Sequence, residues 1–181
     1  MDKPADVFKE FGEITTKLVS LLSPLTTAML NQIPFKGSWT AGQVGDHLYK
    51  SYGVVDVFES NLKNTIRKPD QKVWEIKNTF LDFTIKMESP GHILPQKRPL
   101  QKKALIEGLE GRISKFLTYE DQDLNVECMD FIIPEYGAFT RLEWMWFTIF
   151  HTHRHIYQLE KIISIINGKS MTFSQPYGFN I

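Results

Sequence analysis

The chain has 181 residues, 21 Lys+Arg against 21 Asp+Glu, 42% hydrophobic residues and one cysteine, Cys128. That length suits a single domain over 1–181, able to bury a core without disulfide staples. Zero net charge supplies none of the basic excess that grips a phosphate backbone, so no nucleic-acid partner is expected. A lone cysteine makes neither an internal disulfide nor a CxxC zinc pair. The apolar runs are too short to span a membrane. The opening MDKPADVFKEFGEI lacks the basic start and apolar centre of a signal peptide, so a cytoplasmic location is expected.

In chain order, Val7, Phe8, Phe11, Ile14, Leu18, Leu21, Leu22 and Leu25 recur in steps of three and four, the stripe of an amphipathic helix. Ser23-Pro24 reads as a restart, with Ser as N-cap and Pro at the first helical position. Thr40 and Gln43 have the spacing of a capping box, flanked by Trp39 and Val44 as a hydrophobic staple. The stripe that follows runs Val44, His47, Leu48, Ser51, Val55, Phe58, Leu62 and puts a histidine on a core face. Residues 64–100 are broken by RKPD and SPGHILPQKRP. Between them QKVWEIKNTFLDFTIKM reads either as a short helix or as a helix passing into an extended piece. LQKKALIEGLEGRISKFLTY is a helix by length and pattern, with Gly108 and Gly111 either weakening it or permitting close packing. EDQDLNVECMDFIIPEYG reads as a connecting loop. Thr140 and Glu143 form a second capping box, with Phe139 and Trp144 as its staple. The helix they open runs to Asn167-Gly168, about 40 Å. The tail MTFSQPYGFNI has no periodic pattern. Four principal helices predict an all-α four-helix bundle with a long irregular connection between helices 2 and 3.

Three of the five histidines fall in FHTHRHIYQLEKI, residues 150–162. At about 100° per residue, His151 and His155 lie about 40° apart and one turn apart, where two imidazoles can share one metal ion. His153 is about 200° round and cannot join them. The pair borders the apolar stripe of Leu142, Met145, Ile149, Ile156, Leu159 and Ile163. By spacing alone the pair is either a metal site or ordinary helix surface, and His47 either a ligand or a satisfied core histidine. Were all three to meet, they would leave a coordination position open, the catalytic arrangement and not the structural one.

SWTAGQVGDHL, followed about a hundred residues later by GAFTRLEWMWFTIFHTHRHIYQLEKI, resembles the DinB-like (DinB/YfiT) superfamily. Members commonly carry W-[ST]-x-x-[QE]-x-x-x-H-L on the second helix and G-x-x-T-x-x-E-W…H-x-x-x-H-x-x-Q-[IL] on the last. The resemblance covers most of the chain. It implies a bundle of up-down-down-up order, usually dimeric. It also implies a divalent metal, zinc or nickel, held by His47, His151 and His155. Members include thiol S-transferases or isomerases that use low-molecular-weight thiols, and metal-dependent hydrolases. The expected protein is therefore a metal-dependent transferase or hydrolase acting on a small molecule, with a non-catalytic metal-binding or dimeric interaction bundle as the alternative.

Weaker candidates surround this set. Gln158 projects about 20° from His151, two turns on, and can orient a ligand or form a plain interhelical contact. Gln43 sits one turn before His47, but its capping role already explains it. Asp46 can pair with a site histidine or stand solvated. Cys128 could be a nucleophile, but it lies in the acidic NVECMD, which raises a thiol pKa and argues for a structural or incidental thiol. His92, in the proline-rich loop, either closes over the site or lies on the surface. No residue stands out as a dedicated general base, and no glycine-rich phosphate loop is present.

Overall fold

The computed structural model describes residues 4–168. In chain order the helices are α1 (Pro4–Leu22), α2 (Thr27–Leu30), α3 (Ala41–Ser51), α4 (Val73–Leu81), α5 (Lys102–Leu117) and α6 (Arg141–Ile166). The strands are β1 (Leu62–Asn64), β2 (Val126–Ile133) and β3 (Gly137–Thr140). Short 3-10 turns cover Tyr52–Phe58 and Gly91–Ile93. α6 is central: α1, α3 and α4 all pack against it, and α5 packs on α3 and α1.

The all-α expectation is corrected here. The fold is mostly helical, but it has six α-helices and a small antiparallel sheet of order β1-β2-β3 among the described residues, and is not a clean four-helix up-down-down-up bundle. The stretch 120–137, expected as a loop, forms β2 and the turn into β3. Leu62 pairs with Cys128, and Cys128 with Phe139, so the buried Cys128 sits on the middle strand. A bulge between Cys128 and Ile132 shifts the register and breaks the alternation by which a strand shows itself in sequence. Leu62 is likewise no part of a helix. α3 tightens into the 3-10 turn, and Asn61 turns left-handed (φ 47°) before β1.

Both capping boxes form. The Thr40 and Thr140 side chains accept from the Gln43 and Glu143 N–H groups, and the Gln43 and Glu143 side chains accept from the two threonine N–H groups. The short second helix expected after Ser23-Pro24 forms as α2, but Ser23 is not its cap. Ser23 Oγ donates to the Val19 carbonyl at 2.7 Å and so closes the end of α1, while Thr26 caps α2. α4 ends at Leu81, and the alternating residues beyond it make no strand. α6 has 26 residues and stops at Asn167 and the left-handed Gly168 (φ 70°). A Cβ on Gly108 would lie 3.1 Å from the Tyr49 ring, so this glycine permits the close approach of α5 to α3. The MTFSQPYGFNI tail lies outside the described residues.

The long connection is tied down by two arginines, the half-buried Arg67 and the buried Arg154. Arg67 meets both carboxylate oxygens of the fully buried Glu143 at 2.7 Å and also Glu127 at 3.0 Å. Arg154 donates to the carbonyls of Phe80, Asp82 and Ile85 and thereby closes the C-terminal end of α4 against α6. No helix among the described residues is long and apolar enough to cross a membrane.

Candidate metal centre

His47 comes from α3; His151 and His155 come from one face of α6. All three are buried and their Nε2 atoms converge: His151 Nε2 lies 3.1 Å from that of His47 and 3.0 Å from that of His155. Two nitrogens each about 2.0–2.1 Å from one zinc ion are at most about 4.2 Å apart, so the observed spacings suit a shared cation.

The outer nitrogens decide the proton positions. His47 Nδ1 lies 2.9 Å from the Ile93 carbonyl, and His155 Nδ1 lies 2.9 Å from Gln158 Oε1. A carbonyl oxygen only accepts, so both rings carry the proton on Nδ1 and present a bare lone pair at Nε2. His151 Nδ1 lies 3.1 Å from Ser51 Oγ. A hydroxyl donates or accepts, so His151 can also carry its proton on Nδ1 and free Nε2. The donor set therefore fits a divalent ion, three neutral imidazoles aimed at one point.

Burial keeps them neutral. It is the main cause that lowers the His47 pKa, against the opposing pull of the Ile93 carbonyl and Asp46. The His151 pKa is driven well below 6.5 by burial and then by its two neighbouring histidines. That of His155 falls to about 3, mainly through burial. Aromatic rings wall the cluster. Trp39 stacks on His155 and leans on His47, with centroids 6.3 and 5.1 Å away; Phe80 and Phe147 pack on His151 at 5.5 and 5.8 Å.

The cluster lies in the wall of a cavity of about 1250 Å³. Its other walls come from α4, the segment 83–94 and the β2–β3 turn, with Phe83, Ile85, Met87, Leu94, Phe131 and Ile132 among the lining side chains.

The remaining expected residues have definite places. Gln158 is buried and holds His155. Asp46 accepts from the Gln96 N–H at 2.8 Å and pairs with Lys50 at 2.9 Å; Lys50 in turn donates to the Leu94 carbonyl at 2.7 Å. Gln43 closes its capping box and also donates to the Gln96 carbonyl at 3.2 Å. Together with His47, these residues fasten the segment 93–96 along α3. His92 is exposed, its ring centroid 5.8 Å from that of Phe131 in an edge-to-face contact at the cavity wall. His153 is half-buried and feels Glu10 and Lys17 of α1. Cys128 is buried in the sheet, its thiol pushed up to about 12 by burial. Sequence reasoning missed Ser51 and the Ile93 carbonyl as histidine partners. Ser51 stood one turn past His47 on the same stripe, which was a usable signal; a backbone carbonyl leaves none.

Residues 10–159 match the family model of the DinB superfamily. The chain belongs to the DinB superfamily. Among solved structures, YfiT from Bacillus subtilis, a probable metal-dependent hydrolase with an unusual four-helix bundle topology, is 23% identical, with a TM-score of 0.53 over 94% of this chain and 91% of that one. That likeness carries the DinB-type fold alone. No curated protein matches the chain.

Proposed function

We propose that this DinB-superfamily protein is a metal-dependent enzyme in which His47, His151 and His155 hold one divalent ion, zinc or nickel, and a low-molecular-weight thiol is transferred to a small electrophile. The observation that carries the reading is the convergence of three neutral Nε2 atoms on the wall of a large cavity. A bound divalent ion would supply acidity, making thiolate or hydroxide available near neutral pH.

The residues of the chain do the rest. Gln158 and the Ile93 carbonyl hold two protons on outer nitrogens, and Ser51 accepts the third when His151 carries it there. Trp39, Phe80 and Phe147 exclude water from the inner end. Two observations favour thiol transfer over hydrolysis. The cavity, about 1250 Å³, exceeds the roughly 300–1,000 Å³ of a one-ligand pocket and has room for thiol and electrophile together. The partners of the histidine Nδ1 atoms are neutral, and among the described residues none of the carboxylates lining the cavity is hydrogen-bonded to the cluster. A cytoplasmic homodimer belongs to the same proposal.

The test is metal content by mass spectrometry on tag-free protein, alongside His47→Ala, His151→Ala and His155→Ala. Near one equivalent in the parent and loss in each variant is the expected result. Thiol titration of the cobalt-substituted parent should then change its visible spectrum. A parent that takes up neither zinc nor nickel overturns the reading in favour of a non-catalytic bundle.

A further inference from the structure

Trp144 Nε1 is the single buried side-chain nitrogen or oxygen without a hydrogen-bond partner among the described residues. An orphaned buried donor is destabilising, and such a group calls for a reason. Trp144 is 1% exposed, and it lines the same cavity as the three histidines. It lies seven residues before His151 on α6, about 10 Å along the helix axis and on nearly the same face. Phe147 fills the interval: its ring centroid is 5.3 Å from that of Trp144 and 5.8 Å from that of His151. Phe131, on the bulged strand β2, stacks over the indole at 5.7 Å and is itself partly exposed. The cavity thus has a nitrogen-ligand end, an aromatic middle and an unspent N–H donor at the far end.

We propose that Trp144 Nε1–H is a specificity donor. Its ligand is an elongated small molecule with a flat apolar body and a hydrogen-bond acceptor, such as a carbonyl or carboxylate oxygen, at the end away from the histidines. The orientation of that ligand rests on the reading that the histidines hold a metal; the donor itself does not. The indole gains its partner only when an acceptor reaches its N–H edge, in the plane of the ring whose face Phe131 covers. A ligand lacking the acceptor leaves the N–H orphaned and binds more weakly.

The probes are 4′-acetylbiphenyl-4-carbohydroxamic acid and its 4′-isopropyl counterpart, which share a metal-binding head and a two-ring body and differ in the terminal acceptor. Zinc-loaded parent should bind the acetyl compound about five- to tenfold more tightly, the worth of one neutral hydrogen bond. Trp144→Phe should lose that preference while keeping its metal. In the parent, the Trp144 indole N–H resonance, assigned by its absence in Trp144→Phe, should move downfield with the acetyl compound alone. Equal preference in parent and variant overturns the proposal, as does an indole resonance that ignores the acetyl compound because water already satisfies it. Failure of the metal reading looks different. Both hydroxamates would then bind metal-loaded and metal-free protein alike, and the indole resonance would still decide whether Trp144 is the donor.

Discussion

Replacing Gln158 with Leu removes the oxygen that takes the Nδ1 proton of His155, 2.9 Å away, and keeps a side chain of similar size at a buried position. Two consequences follow. The Nδ1–H is left unpaired in a dry site, at a cost of about 1–3 kcal/mol. The proton is then free to move to Nε2, where it competes with a cation for the same lone pair. Loss of an outer partner of this kind typically lowers metal affinity about 10–100-fold, or about 1.4–2.8 kcal/mol. Competition titration against a chelator of known zinc affinity, at pH 7.5, reads this directly. Gln158→Leu should keep one site per chain and its helical circular dichroism while its affinity falls within that range. Gln158→Glu, whose carboxylate accepts the same proton, should hold zinc at least as well as the parent. A Gln158→Leu affinity within twofold of the parent, in a protein where His155→Ala abolishes binding, would refute the argument that the outer hydrogen bond sets the tautomer.

Arg67→Met leaves Glu143 buried without its guanidinium; urea unfolding should show a loss of about 3–5 kcal/mol, and an unchanged midpoint would contradict the clamp. Metal-free protein should lose stability as pH falls below 6.5, because the unfolded chain takes up protons that the native cluster refuses, down to about 3 at His155. The sign is positive in pH, stability being full above 6.5, and each refused proton gives a slope of about 1.4 kcal/mol per pH unit; urea midpoints at pH 7.5, 6 and 5 test it, and equal midpoints would count against buried neutral histidines. Cys128, buried with its thiol raised to about 12, should react with a disulfide reagent only on unfolding; rapid native labelling would show the sheet to be open.

What could be read from the chain was local. The Thr40 and Thr140 caps depend on groups three residues apart, and both formed as expected. The spacing of His151 and His155 follows from 3.6 residues per turn, so their sharing of a face needed no tertiary information. The end of α6 at Asn167-Gly168 was equally legible, since a left-handed glycine stops a helix by its own backbone preference. The sheet was hidden because β2 carries a bulge, and its partners β1 and β3 are only three and four residues long. Whether the three histidines could share one cation was also beyond local pattern. It turned on His47 crossing from α3 to within 3.1 Å of His151, a hundred and four residues on. Of the partners of the outer nitrogens, Ser51 lies one hundred positions from His151 and the Ile93 carbonyl forty-six from His47. Helix spacing orients a side chain; only the packing of α3, α6 and the 93–96 segment together brings three lone pairs to one point and gives every outer nitrogen its partner.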